Sequence, residues 1–383
     1  MKKLMAMLLA VVMVLAMVAC GEKAPATTPE NPETPAMKVA LVTDVGTIDD
    51  ESFNQGTWQG VENYCKANNV EYTYYQPTED STDARLVSID QAIAEGANVV
   101  VMPGFLFGSA IITAQDQHPE VKFVAIDVNP KTDMTFDYTT YYEPKENTTC
   151  ITFAEEQAGY LAGYAAVKDG YTKLGFLGGM AVPAVVRYGY GFVQGADAAA
   201  TEMKTKIEVN YTYGGQFFGD ANITAKMEGW SNKGTEVVFA CGGGIYTSAV
   251  EAAVKYNAMV IGVDVDQHYI GEAGIAAGSY TYNPFLSSSM KALQGATESV
   301  LAAIAEGNWA NYSGKAVNYT LADGEYVGLP TAEASWGFKT FTTDDYKALV
   351  EAIKAGTVTI KNDNTLKIAD LGLSENTTVN EIG

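Results

Sequence analysis

The chain has 383 residues, 47% of them hydrophobic, and a formal charge of −22 at pH 7. That length suits two domains better than one core. The charge excludes nucleic-acid binding, which needs basic surface to displace phosphate counterions, and excludes lying flat on an anionic membrane; it reads as a solvated acidic surface that keeps copies apart as monomers.

The first twenty residues form a secretion signal. Lys2 and Lys3 precede an apolar run over 4–18, too short to span a membrane comfortably, and Ala19-Cys20-Gly21 supplies small residues at a cut site. A Cys directly after Met17-Val18-Ala19 resembles a lipobox, so Cys20 is expected to be acylated and to become the first residue of the mature protein. The protein is then lipid-anchored on the extracytoplasmic face of the cell membrane, away from cytoplasmic ATP and NAD, and no cofactor or metal is expected. Residues 21–37, rich in Pro, Thr, Glu and Ala, read as a disordered tether. With Cys20 acylated, Cys65, Cys150 and Cys241 remain, an odd number without zinc-like spacing; a Cys65–Cys150 bridge stays open.

From residue 38 short apolar runs alternate with helical periods. Strands are predicted over 38–44, 70–76, 98–104, 122–127, 173–179, 208–214, 237–243 and 259–264. Helices are predicted over 53–68, 83–95, 153–168, 185–203, 223–233, 246–256 and, after a β-rich patch at 316–327, over 343–354. This alternation predicts α/β architecture with parallel sheets buried on both faces. It pauses over 129–149 and restarts, which gives two doubly wound lobes joined near 148–152. The first lobe is 38–150, completed by roughly 265–305; the second is 151–264, completed by roughly 306–383. Ligands bind such sheets at the carboxyl ends of their strands, so residues just after each apolar run are the candidates.

The densest of these segments is VTDVGTIDDESFN from Val42, with Asp44 after a strand and Asp50 as the cap of a helix. Phe53 offers a π-face and Asn54 an amide that both donates and accepts, a pair suited to a flat heterocycle. Gly104, at the carboxyl end of the third run, is a further candidate. In VIGVDVDQH, Asp264 ends a strand, and an ionised carboxylate there suits a vicinal diol such as that of ribose; a metal site from Asp264, Asp266 and His268 is the weaker alternative. Phe217 and Phe218 in YGGQFFGD leave open which ring faces the cleft. CGGG from Cys241 lacks both the spacing and the Lys of a phosphate loop and reads as a tight turn. Lys291 is placed on a helix after Pro284, where it can reach a sugar hydroxyl or hold Asp264 ionised.

Taken together, VTDVGTIDDESFNQGTWQG from Val42, FAEEQAGYLAGYAA from Phe153, GFLGGMAVPAVVRYGYGFVQGA from Gly175, CGGG from Cys241 and GVDVDQ from Gly262 resemble the basic membrane protein (PnrA-like) family of ABC-transporter substrate-binding lipoproteins. The resemblance covers Lys38 to about Asn362. It implies a type I periplasmic-binding-protein fold, two doubly wound domains around a ligand cleft joined by a three-strand hinge. It also implies a purine nucleoside as ligand, with the base between Phe53 and Phe218, Asp44 and Asn54 at the base edge, and Asp264 and Lys291 at the ribose. The expected partners are that nucleoside and an ABC permease with its ATPase, and the expected action is binding without catalysis. A sugar or other small ligand in the same clamp, and a secreted nucleoside hydrolase using Asp44, Asp49 and Asp50 with a metal, are the competing readings.

Overall fold

The computed structural model describes residues 36–130 and 143–382. The signal, Cys20 and all but the last two residues of the tether lie outside them. Among the described residues no helix is long and apolar enough to cross a membrane.

Central strands that are buried on both faces, flanked by more exposed edge strands, make two sheets. The first contains β1 (Lys38–Val42), β2 (Glu71–Tyr75), β3 (Val99–Pro103), β4 (Lys122–Ile126), β5 (Thr148–Phe153) and β11 (Lys315–Tyr319), in the order β11-β5-β4-β3-β1-β2. Its paired strands run parallel. The second contains β6 (Lys173–Gly178), β7 (Ile207–Tyr213), β8 (Val237–Cys241), β9 (Met259–Asp264), β10 (Phe285–Lys291), β12 (Val327–Gly328) and β13 (Thr377–Glu381), in the order β12-β10-β9-β8-β6-β7-β13. Only β12 is antiparallel among its paired strands. In each sheet the first strand of the lobe sits between the second and third. Strand order therefore reverses between β1 and β3 and between β6 and β8, and a crevice opens at the carboxyl ends there.

The first lobe carries α1 (Phe53–Asn68), α2 (Thr82–Ala94) and α3 (Gly108–Gln117); the second carries α4 (Glu155–Lys168), α5 (Pro183–Met203), α6 (Ala221–Asn232), α7 (Tyr246–Tyr256), α8 (His268–Ala276) and α10 (Thr343–Lys354). Helix α9 (Leu293–Ala305) returns to the first lobe and packs on α1. Helices α4 and α5 meet backbone to backbone. A Cβ on Gly163 would lie 2.0 Å from the Phe192 carbonyl oxygen, and one on Gly195 would lie 2.0 Å from that of Tyr160.

The chain crosses between lobes at 153–155, 291–293 and 319–327. The crossings are tied together by Ala154 N donating to Tyr319 O and Ala292 N donating to Tyr326 O, each at 2.8 Å, and by the Tyr319 and Tyr326 rings, stacked at 3.9 Å and 5°. These crossings differ from the sequence expectation. Residues 265–305 do not all complete the first lobe: β10 pairs with β9 in the second sheet, and only α9 returns. Nor does all of 306–383 join the second lobe, because β11 pairs with β5. Lys291 ends β10 rather than riding a helix. The physical reason is that FLSSSMK and TTCITF carry buried hydroxyls where a core strand is expected to be apolar; one of these, Thr152 Oγ1, donates to Asn318 Oδ1 at 3.0 Å. Cys65, Cys150 and Cys241 are all free and buried.

Candidate functional site

A cavity between the lobes collects the loops that follow the strands at both reversal points. Asp44 and Gly46 follow β1, and Gly104 to Leu106 follow β3. From the second lobe come Val182 beyond β6 and Cys241 to Gly243 at the end of β8. Asp44, Phe53, Asn54, Gly104, Asp264 and Lys291, all singled out from sequence, line this one cavity. A Cβ on Gly104 would come within 2.7 Å of Asp44 Oδ2. Glycine is required there also by its backbone, at φ 123.

Helix α1 starts directly after Ser52, so Ser52 rather than Asp50 holds the cap position and Phe53 is the first helical residue. Ser52 makes no side-chain cap bond. The Asp50 carboxylate takes over that role, accepting from the backbone N–H of Ser52 at 2.9 Å, Asn54 at 3.0 Å and Gln55 at 3.1 Å. Burial nonetheless pushes Asp50 up to about 6. The freed Ser52 hydroxyl crosses to the other lobe and donates to Asp264 Oδ2 at 2.6 Å.

The Asn54 amide has only one sensible orientation. Its Nδ2 donates to Asp44 Oδ1 and to Asp50 Oδ2, both at 3.0 Å. Its Oδ1 is buried without a partner. Asp44 Oδ1 also accepts from Val45 N at 2.6 Å and Gly46 N at 2.9 Å. Burial raises the Asp44 carboxyl above its ordinary range against these bonds. Asp44 and Asn54 both line the cavity, and a buried acceptor left unmatched, as Asn54 Oδ1 is, is costly.

The floor is an ion cluster built from both lobes and two crossings. Lys291 Nζ donates to Asp127 Oδ2 at 2.5 Å and lies 3.5 Å from Glu155 and 3.7 Å from Asp264. Arg187 Nε holds the far side of Glu155 at 2.7 Å. Asp127 directly follows the first lobe's β4 and Asp264 ends the second lobe's β9, each in the left-handed backbone region, at φ 60 and 66. Asp tolerates that region better than most side chains, and the matching kinks aim both carboxylates at one lysine. Burial works against the Lys291 charge, but Asp127, Asp264 and Glu155 outweigh it and hold the ammonium firmly protonated. Burial raises Asp127 and Asp264, with Lys291 opposing. For Glu155 burial is outweighed by Arg187 and Lys291, and its carboxyl falls below the usual range. The lysine is caged by rings, Nζ lying 4.8 Å from the Phe53 centroid, 5.5 Å from that of Tyr188 and 5.8 Å from that of Phe153.

Phe218 is the correction. It is 60% exposed and does not line the cavity, whereas its neighbour Phe217 does. The loop fixes the choice: Phe217 lies against a glycine shelf, where a Cβ on Gly179 or Gly242 would come within 2.4 or 3.0 Å of its ring. The backbone of Phe218 bridges to Gly244, with its side chain outward. Asp127, Glu155, Ser52 and Tyr188 were not singled out as site residues from sequence. Asp127 had a signal, a carboxylate directly after an apolar run; Glu155 and Tyr188 read as ordinary helix residues. Asp266 and His268 are engaged elsewhere, with Ser335 and with Glu272 and Asn283, and among the described residues no His, Cys, Asp and Glu group converges on a metal position.

Residues 37–363 match the family described as ABC transporter substrate-binding protein, PnrA-like. The chain belongs to that family. Among its PnrA-like relatives, the ABC transporter nucleoside-binding protein BmpA of Lactococcus lactis subsp. cremoris is 33% identical over 252 residues, covering 62% of this chain and 66% of that protein, just under two thirds of its length. The CD4+ T-cell-stimulating antigen of Listeria monocytogenes is 27% identical, covering 76% of this chain and 79% of its own. In fold, the chain superposes on an ABC transporter solute-binding protein from Aeropyrum pernix with a TM-score of 0.65 at 21% identity, over 88% of this chain and 90% of that one. The architecture is thus the type I periplasmic-binding-protein fold shared by solute-binding proteins of this class.

Proposed function

We propose that this PnrA-like protein is an extracytoplasmic binding lipoprotein, anchored through Cys20, that captures a purine nucleoside for an ABC permease and its ATPase, without catalysis. The observation that carries the reading is the pairing within one interlobe cavity of two rings from opposite lobes, Phe53 and Phe217, with the buried Asp127–Lys291–Asp264 cluster. The rings suit a planar base, with stacking worth about 1–3 kcal/mol per base. The carboxylates and ammonium suit ribose hydroxyls, each an acceptor and a donor. Because both lobes contribute, bound cargo favours the closed arrangement over any open one. The Lactococcus relative, a nucleoside-binding protein by name, supports the same ligand class.

The acceptor wall sharpens the choice of base. Asn54 Oδ1 and the Asp44 carboxylate call for ring N–H donors. Guanosine and inosine carry N1–H, whereas adenosine presents a bare N1 to these oxygens. We expect guanosine and inosine to bind at least ~10-fold tighter than adenosine, because an unmatched buried acceptor costs about 1–3 kcal/mol. Titration calorimetry with the three nucleosides, free bases, ribose and hexoses tests both parts. Equal affinity for adenosine removes the acceptor-wall reading; heat from hexoses alone removes the nucleoside.

A further inference from the structure

A second set of contacts closes the lobes on each other without facing the cavity. Glu51, directly before Ser52, adopts φ 56, a backbone conformation uncommon for a residue with a long side chain. Its carbonyl accepts from Gln267 Nε2 of the second lobe at 2.7 Å. Its carboxylate accepts from the Tyr269 hydroxyl, also of the second lobe. Gln55, one turn into α1, braces the group: its Oε1 accepts from Glu51 N at 3.0 Å, and its Nε2 donates to Glu51 Oε2 at 3.0 Å and to Tyr269 Oη at 3.3 Å.

Gln267 is held in place before it reaches across. It is fully buried; its Oε1 accepts from Val263 N at 3.1 Å and its own N–H donates to Ser288 Oγ at 3.0 Å. With Oε1 committed to an N–H, Nε2 is the atom that must face Glu51, so the amide cannot flip without losing both bonds. None of Glu51, Gln55, Gln267 or Tyr269 lines the cavity that holds Phe53 and Phe217; Gln55 and Tyr269 line a neighbouring groove that Asp264 and Lys291 also border.

We propose that Glu51, Gln267 and Tyr269, braced by Gln55, form a clasp that positions the two lobes shut and sets the residence time of cargo without contacting it. The inference rests on the nucleoside reading only for its choice of probe. A clamp's apparent affinity scales with the population of its binding-competent form, so weakening the clasp multiplies every ligand's Kd by one common factor. A residue that touches cargo changes ligands unequally.

Two variants of the full-length protein separate these cases. Gln267→Glu keeps the shape and the bond from Val263 N but turns the crossing donor into an oxygen facing the Glu51 carbonyl. Tyr269→Phe removes only a hydroxyl from a ring that is 44% exposed, so its folding is not at risk. Stopped-flow binding of guanosine and inosine is expected to give a Kd raised about tenfold or more for Gln267→Glu and about two- to fivefold for Tyr269→Phe, within what one hydrogen bond is worth. The change should lie in the dissociation rate, with the guanosine-to-inosine ratio preserved. Hydrogen exchange of the nucleoside-free protein should show both variants losing amide protection over 45–55 and 263–269. Unchanged dissociation together with unchanged exchange overturns the clasp, and so does a reordering of the two nucleosides. If the parent protein binds neither nucleoside, the function reading falls instead, and the exchange measurement still decides the clasp.

Discussion

At the residue scale the site turns on which of two adjacent phenylalanines faces inward. Sequence alone left the pair unresolved because alternation places one ring on each side of an extended segment, and nothing local says which side is the cleft. The deciding residues are distant glycines, Gly179 and Gly242, whose missing side chains leave room for Phe217. The consequence is a paired test. Phe217→Ala should weaken guanosine binding at least ~10-fold, at least ~1.4 kcal/mol, as should Phe53→Ala. Phe218→Ala, which removes an exposed ring, should stay within about twofold. Calorimetry on the three variants checks this, and a larger loss from Phe218→Ala than from Phe217→Ala reverses the assignment. The same scale shows why Ser52 and Asp50 exchange duties. Asp50 reaches back over three backbone N–H groups, which releases the Ser52 hydroxyl to Asp264.

At the element scale the second lobe depends on how closely α4 and α5 approach. Gly159, Gly163, Gly191 and Gly195 stand at i, i+4 spacing on the two helices, and a Cβ on any of them would lie 2.0–2.2 Å from a carbonyl oxygen of the partner helix. This contact fixes Glu155 at the start of α4 relative to Val185, Arg187 and Tyr188 on α5, and so sets the cavity floor. Gly163→Ala should therefore destabilise by about 1–3 kcal/mol or more through overpacking, read as a fall in thermal midpoint. Gly295→Ala on α9, where a Cβ meets nothing within 4 Å, should be neutral or slightly stabilising. Equal midpoints for the two variants contradict the close-contact account. Most of the β-α alternation was legible in sequence because runs such as Val99–Pro103 are apolar throughout and buried on both faces. The strands that escaped notice, β5, β10 and β13, are rich in Ser, Thr and Asn. Their identity comes from the sheet they join rather than from their own pattern, and β10 and β11 decide the lobe boundaries. Asp44, Phe53, Asn54, Gly104 and Asp264 were legible as candidates because each sits at or just beyond a strand's carboxyl end or opens a helix. Lys291 was legible as a charge but misplaced on a helix, and Glu155 was hidden because its partners lie 32 and 136 positions away in sequence.

At the scale of the whole molecule, acid is buried in excess. The chain carries −22, and several of its carboxylates are enclosed rather than solvated. Asp50 is pushed up to about 6 by burial. Glu156, beside the cluster but outside the cavity, is pushed up to about 7, first by burial and then by the neighbouring Glu155 charge. One Glu156 oxygen accepts from Asn362 Nδ2 at 3.2 Å, and the other is buried without a partner. A carboxyl whose folded pKa exceeds its unfolded value binds more protons in the folded state, so its contribution is complete below the unfolded value and is lost as pH rises through the folded one. For Glu156 that window runs from 4.5 to about 7. Self-repulsion of the acidic surface grows in the same direction. Thermal stability without ligand is therefore expected to peak near pH 5 and to fall towards pH 8. Glu156→Gln isolates the buried carboxyl, since the amide keeps an oxygen for Asn362 and cannot ionise. The variant should match the parent near pH 5 and exceed it at pH 8 by on the order of 1–3 kcal/mol, because each pKa unit corresponds to about 1.4 kcal/mol. Melting curves across that range decide the matter: parallel profiles would mean that Glu156 is already neutral, or already solvated, throughout, and that the acid limit on this fold's stability lies in its surface instead.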